Sequence, residues 1–157
     1  MKIIVLAGGL STERDVSLSS AAGICRTLVE KGHDAFLLDV FMGLENAPEN
    51  LEDVFTLPDH GLEIVKNIST EEPDLEAVKA SRPDQSDCFF GPNVIELCRL
   101  ADITFLGLHG GEGENGKLQA SFDLLGIKYT GPDSLGCAVA MHKGVAKQIF
   151  LESGVET

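Results

Sequence analysis

The sequence predicts an α/β domain, in which a small, doubly wound, mostly parallel sheet of about four strands carries helices on both faces. Two observations predict this fold. Short apolar runs rich in β-branched residues recur along the chain, and such runs are typical of strands buried on both faces. Segments with the apolar spacing of a helix alternate with these runs, and this alternation favours parallel strands joined by helical crossovers.

The first forty residues form one complete strand–helix–strand unit in this interpretation. Residues 2–7 are the first strand, and Gly8 with Gly9 ends it. A helical pattern runs from Val16, with one apolar face, until Gly32 ends it. Residues 35–40 form the second strand, which we expect to be parallel to the first.

Regular helices and strands are again predicted from about residue 94 to the end of the chain. A short helix follows Pro92, and residues 102–108 form a third buried strand. The remaining predicted elements are a glycine-rich loop over 109–116, a helix that ends at Gly126, a fourth short strand over 127–130, and helices over 135–141 and 142–153.

Residues 41–87 form an acidic excursion at the edge of the sheet. They hold twelve acidic and three basic side chains, and so carry −9 of the net charge of −13. Within them we predict a short strand over 62–66 and a short helix or turn over 74–79. The overall negative charge argues against a nucleic-acid partner, because phosphate binding needs clustered lysine and arginine.

The cysteines and the hydropathy pattern indicate a cytoplasmic protein. None of the four cysteines forms a CxxC pair, and we expect all four to be reduced thiols in the core. The opening apolar run is too short for a signal peptide, and no run is long enough to span a membrane. No histidine pair has the spacing of metal ligands, so we expect no metal bound by this chain.

Two glycine-rich turns follow predicted parallel strands, at residues 8–15 and 109–116. The carboxyl ends of parallel strands meet at one edge of a sheet, where α/β proteins bind their ligands. Glu13 and His109 therefore become candidate site residues, and an acid beside the turn suits a cationic group such as an amine. The alternatives are that the glycines only make tight turns, that Glu13 caps a helix and that His109 is structural.

Four motifs, in this order and spacing, resemble those of D-alanine–D-alanine ligases. They are residues 8–17 (GGLSTERDVS), 108–119 (LHGGEGENGKLQ), 125–131 (LGIKYTG) and 138–143 (AVAMHK). The resemblance spans nearly the whole chain and implies the Rossmann-like fold of the domain that precedes an ATP-grasp portion. It also implies the chemistry of peptidoglycan synthesis, in which ATP converts one D-alanine to an acyl phosphate and the amine of a second D-alanine attacks it.

The resemblance also implies roles for individual residues. Glu13 would hold the ammonium group of the first D-alanine, and Val16 would lie against the side of that alanine. Ser17 would support the site as part of the catalytic set with Glu13 and His109. His109 would lie near the first D-alanine, beside the loop that Gly110 begins.

The cofactors implied by the resemblance are ATP and magnesium, both bound mainly outside this chain. Lys143 would approach an ATP phosphate, although a pair of solvated lysines with Lys147 is the alternative. The family usually has Asp where this chain has His142, and often Asp where it has Asn115. Residues 1–140 would be the substrate domain, and residues 141–157 the start of the link to the ATP-grasp portion.

The resemblance therefore implies the N-terminal substrate-binding domain of an ATP-dependent ligase. We expect the isolated chain to be inactive and, by similarity, to form a homodimer with D-alanine and ATP as ligands. Two alternatives remain open. The chain is either a stand-alone α/β binding module that lost the chemistry, or part of another carboxylate–amine ligase that makes D-alanyl-D-lactate or D-alanyl-D-serine.

Overall fold

Three parallel strands form the centre of the computed structural model, which describes residues 1–65 and 72–157. The strands are β1 (Lys2–Ala7), β2 (Asp34–Asp39) and β3 (Ile103–Leu106), in the spatial order β2-β1-β3. Ile4 of β1 lies opposite Phe36 of β2 and Thr104 of β3. The predicted α/β fold with a parallel sheet is confirmed.

The helices of the described residues follow the predicted order. They are α1 (Arg14–Glu30), α2 (Leu75–Ser81), α3 (Val94–Leu100), α4 (Gly111–Glu114), α5 (Lys117–Leu125), α6 (Ser134–Met141) and α7 (Lys143–Glu152). Two 3₁₀ turns cover Leu51–Thr56 and Leu62–Ile64. The predicted strand over 62–66 is therefore wrong at 62–64, and its last residue, Lys66, lies outside the described residues. Within the predicted loop 109–116, the structure adds the single turn of α4.

The two faces of the sheet carry separate cores because side chains alternate along each strand. On one face, Val5 packs with the apolar side of α1, which includes Ala21 and Cys25. On the other face, Ile4 packs with the cluster that contains Leu97 of α3 and Phe122 of α5. Helices on both faces are thus confirmed, as expected for a sheet whose middle strand comes first in the chain.

The fourth strand is the main difference from the predicted sheet. Residues 127–130 run parallel to β3 but form only an isolated bridge, between Thr104 and Tyr129. The Thr104 amide donates to the Lys128 carbonyl at 2.8 Å, whereas the Leu106 amide is bound by the Thr130 hydroxyl at 3.1 Å. Because a side chain takes the place of the next backbone acceptor, and Gly131 then turns the chain, no ladder develops.

The cysteines differ from expectation at one position. Cys25, Cys98 and Cys137 are buried, but Cys88 is exposed, because it lies in the irregular segment that follows α2 rather than on a helix face. Burial raises the pKa of the Cys25 thiol to about 11 and that of Cys98 to about 12, so both stay protonated at neutral pH. In the described ranges, no helix is long and apolar enough to cross a membrane.

Two neighbouring side chains of α5 provide a test of the core. Phe122 is fully buried and Leu124 is 90% exposed. We expect Phe122→Ala to lower the free energy of unfolding in urea by about 3–5 kcal/mol, because it leaves a cavity. Leu124→Ala should change it by less than about 0.5 kcal/mol. Similar losses for the two variants would contradict the packing described for α5.

Candidate functional site

The candidate site lies where the chain leaves the carboxyl ends of β1 and β3. After β1 the chain enters α1, which packs on one face of the sheet, and after β3 it leads to α5, which packs on the other face. In α/β proteins, ligands bind at the sheet edge where such a divergence occurs. The loop after β1 carries Glu13, and the loop after β3 carries His109 and Gly110, as the sequence predicts.

Ser17 joins the two loops from behind the site. Its side chain is fully buried, and its hydroxyl accepts from the Gly8 amide at 2.9 Å and donates to the Gly107 carbonyl at 2.8 Å. The hydroxyl thus links the end of β1 to the end of β3 through α1. Both of these bonds are internal to the protein, so this geometry suits a residue that supports the site, and the catalytic assignment of Ser17 stays a prediction.

Ser11 makes a second link between the loops, on the solvent side. Its hydroxyl donates to the His109 carbonyl at 2.6 Å and accepts from the Glu13 amide at 3.0 Å. Gly110 then has φ +69°, and a Cβ placed on it would lie 2.8 Å from Oε2 of Glu13. Only glycine fits there without a shift, and its small size lets the carboxylate of one loop touch the backbone of the other.

The carboxylate of Glu13 is exposed at the position just before α1. Its side chain makes no capping hydrogen bond to the helix. Glu13 thus occupies the N-cap position of α1 without a side-chain hydrogen bond to the helix, and its exposed carboxylate is accessible to a ligand. Val16, one helical turn further on, is 46% exposed and lies on the same side of α1.

His109 reaches from the β3 loop to α1. Its side chain is half-buried, and its Nε2 lies 3.1 Å from the hydroxyl of Ser20. Because Ser20 is one turn beyond Val16 on α1, the imidazole, Val16 and Glu13 are all attached to the first two turns of this helix or to its start. The structure thus brings an acid, an apolar side chain and an imidazole to one edge of the sheet.

A buried ion pair that the sequence interpretation missed anchors the first loop. The Arg14 guanidinium pairs with the Asp39 carboxylate, and these residues are only 8% and 3% exposed. Arg14 also donates to the Gly9 carbonyl at 2.7 Å, while Asp39 accepts from the amides of Gly9 at 3.3 Å and Phe41 at 2.9 Å. The available signal was the single acid at the end of the apolar run 35–40.

Lys143 is not part of this cluster. It is the exposed first residue of α7, and the preceding His142 caps that helix by accepting from the Val145 amide at 3.2 Å. In the ranges that the structure describes, no hydrogen bond or ion pair connects Lys143 to Glu13 or His109. The same ranges contain no group of three or more His, Cys, Asp or Glu side chains placed to hold a metal ion.

The matching family and the two relatives given below are all D-alanine–D-alanine ligases. The family described as "D-ala D-ala ligase N-terminus" matches residues 2–132. The D-alanine–D-alanine ligase of Lacticaseibacillus casei is 45% identical over 157 residues, covering 100% of this chain and 43% of the relative. That of Pediococcus pentosaceus is 48% identical over 162 residues, covering 100% and 44%. The chain thus spans less than half the length of these curated relatives.

Solved structures give the same picture of the fold. The D-alanine–D-alanine ligase from Coxiella burnetii superposes with a TM-score of 0.58 at 25% identity, over 98% of this chain and 42% of that one. The enzyme from Bacillus anthracis complexed with ATP superposes with a TM-score of 0.61 at 23% identity, over 100% and 36%. The α/β architecture built around β1 is therefore one that these enzymes share.

The Arg14–Asp39 pair predicts a large effect of a conservative change. Asp39→Asn keeps the shape but leaves a buried guanidinium unpaired, so we expect the free energy of unfolding to fall by about 3–5 kcal/mol. Glu76→Gln is the matched control, since it breaks an exposed pair with Lys79 at 2.7 Å and should change stability by less than about 0.5 kcal/mol. Urea denaturation measures both. An Asp39→Asn effect as small as the control would show that the buried pair does not anchor the loop.

Proposed function

This chain belongs to the D-alanine–D-alanine ligase N-terminal family, and on that basis we propose that it is the amino-acid-binding portion of an ATP-dependent ligase that joins two D-alanines. The family match over residues 2–132 confirms the resemblance carried by the sequence motifs. The observation that supports the proposal most directly is the exposed carboxylate of Glu13, which lies against Gly110 at the switch point of the sheet.

The chemistry of the cluster fits an amino acid. The ammonium group of D-alanine needs an acceptor with negative charge, and Glu13 offers one that the helix does not use. In the proposal Val16 contacts the side of the alanine, while His109 and Gly110 form the opposite wall. Ser17 supports both walls, because its hydroxyl joins the loops that carry them.

ATP and magnesium belong to the proposal as groups held mainly outside this chain. When bound, ATP would supply the phosphoryl group that activates the carboxylate of the first D-alanine, with magnesium offsetting the phosphate charge. The one residue of this chain assigned to that task is Lys143, and its exposed position at the start of α7 is compatible with an anion. Glu13 and His109 only bind and orient the amino acid.

The division of the chain into residues 1–140 and a link from 141 is also part of the proposal. The last helix, α7, exposes more apolar side chains than is usual for a helix on a solvent-facing protein surface. Those of Ile149, Phe150 and Leu151 are 45%, 48% and 60% exposed. Since the curated relatives are more than twice as long as this chain, we propose that a further portion covers α7 in the complete ligase.

Two other expectations remain predictions. A homodimer is expected by similarity to the family, and a cytoplasmic location is expected from the cysteines and from the substrates of the ligase. Neither bears on the geometry of Glu13 and His109, so the proposed role of the site does not depend on them.

The isolated chain should have no ligase activity. We expect no D-alanine-dependent release of phosphate when the 157-residue protein is mixed with ATP, magnesium and D-alanine, because the groups assigned to phosphate chemistry lie mainly outside it. A coupled phosphate assay measures this. Turnover that persists after repurification of the chain would overturn the proposal that the phosphate chemistry depends on groups outside it.

A chimeric ligase tests the site itself. This chain would replace the matching segment of the Lacticaseibacillus casei ligase, with which it is 45% identical over 157 residues. We expect the chimera to be active, and Glu13→Gln to raise its KM for the first D-alanine about tenfold or more, since a hydrogen bond to a charged group contributes about 1.5–3 kcal/mol. The KM for ATP should change little.

The control for this experiment is Glu30→Gln, which alters an exposed acid at the far end of the same helix. It should leave both KM values as they are. Equal effects of Glu13→Gln on the two substrates would count against an ammonium-binding role. An inactive chimera whose N-terminal portion still binds D-alanine would favour the stand-alone binding module instead.

A further inference from the structure

Two serines bind His109. Ser11 binds its backbone carbonyl, and Ser20 binds its ring. The backbone carbonyl accepts from the Ser11 hydroxyl at 2.6 Å, and the ring nitrogen Nε2 lies 3.1 Å from the Ser20 hydroxyl. The backbone bond alone does not orient the imidazole, because rotation about the side-chain bonds stays open. The contact with Ser20 is what selects one ring orientation.

The partners of Ser20 decide the direction of this hydrogen bond. A serine hydroxyl has one proton to donate, and the Ser20 oxygen also lies 3.1 Å from the backbone carbonyl of Ser17. For both contacts to be hydrogen bonds, the Ser20 proton must point to the Ser17 carbonyl, because a carbonyl can only accept. The Ser20 oxygen must then accept from His109, and the proton of the neutral imidazole is therefore on Nε2.

We propose that Ser20 is a positioning residue, which fixes the His109 ring in the Nε2–H tautomer and leaves Nδ1 as the nitrogen that meets the amino acid. Among the residues that the structure describes, no group hydrogen-bonds Nδ1, so this nitrogen is open to a ligand. The ring orientation and the tautomer are inferred from the two contacts of Ser20 and do not depend on the proposed function. The contact between Nδ1 and an amino acid rests on the proposed function.

The backbone beside His109 shows why such a tether matters. Gly110 and Gly111 follow it with φ of +69° and +51°, in the left-handed region that glycine adopts freely. These two glycines have no side chain that could hold the ring of His109 in place. A hydrogen bond to α1, which packs along the sheet, attaches the ring to a rigid element of the fold.

The test uses the 157-residue chain labelled with ¹⁵N at histidine, at about pH 8, where an unperturbed imidazole is neutral. Long-range ¹H–¹⁵N correlation spectra report the tautomer of each ring, and exchange with water reports whether Nε2–H is protected. A His109→Gln variant assigns the resonances. We expect His109 to be an Nε2–H tautomer with a protected proton, and Ser20→Ala to lose that protection.

Two variants separate positioning from general disturbance of α1. Ser20→Thr retains the hydroxyl and should retain the protected proton, and Ser19→Ala changes the neighbouring serine and should leave the His109 spectrum unchanged. A predominant Nδ1–H tautomer in the wild-type chain would overturn the proposal. So would an Nε2–H proton that exchanges equally fast in the wild-type and Ser20→Ala chains.

Titration of the active chimeric ligase with D-alanine then tests whether Nδ1 contacts the amino acid, because the isolated chain holds only part of the proposed pocket. We expect D-alanine to shift the Nδ1 resonance of His109 more than that of Nε2, and Ser20→Ala to weaken the binding by about two- to tenfold, as expected for one lost hydrogen bond. A protected Nε2–H with no response of His109 to D-alanine would overturn the amino-acid contact, and with it the proposed role of His109, but not the tether. A larger shift at Nε2 would overturn the assignment of Nδ1.

Discussion

The loop that carries Glu13 depends on one buried carboxylate in a neighbouring strand. Asp39 ends β2, yet its oxygens bind the Arg14 guanidinium and the amides of Gly9 and Phe41. A buried charge is tolerated only when it is paired and hydrogen-bonded. All of the partners named here lie in the segment that follows β1 or directly after β2. Gly8 completes the arrangement, because a Cβ there would lie 2.6 Å from the Asp39 carboxylate. The conformation of the first loop is thus determined from outside the loop.

Ser11 and Ser17 connect this first loop to the end of β3 and to the loop that follows it. Ser17 binds Gly107 inside the protein, and Ser11 binds the His109 carbonyl near the surface. Both loops are therefore held by groups that face the interior or each other, while the side chains of Glu13 and Val16 remain exposed. This separation suits a binding site, because the groups that meet a ligand are not required for the fold and the groups that hold the fold are not available to the ligand.

Local patterns predicted the elements of this fold well, and contacts distant in the sequence account for what they missed. The apolar run at residues 2–7 and the apolar face that includes Ala21 and Cys25 are properties of neighbouring residues, so β1 and α1 follow from them. The pairing of Arg14 with Asp39, and of Ser20 with His109, joins residues 25 and 89 positions apart, and no periodicity reports it. The predicted fourth strand is absent for a related reason. The Leu106 amide donates to the Thr130 side chain instead of to a backbone carbonyl, and the sequence pattern does not report this contact.

The candidate site residues show the same limit. Glu13 was identifiable because it places a carboxylate at a helix start where α/β proteins usually bind anions, and Gly110 because it follows a strand end. The structure then brings these two residues close together, which the sequence does not report. An amino acid carries one positive and one negative group, so a complete pocket must supply a negative side chain and a donor for the carboxylate. In the proposed site, Glu13 would supply the first, and the imidazole of His109 lies at the same edge of the sheet. In the proposed ligase, therefore, the N-terminal portion selects the amine end of D-alanine, and the carboxylate, which is the reacting group, faces the portion that brings ATP.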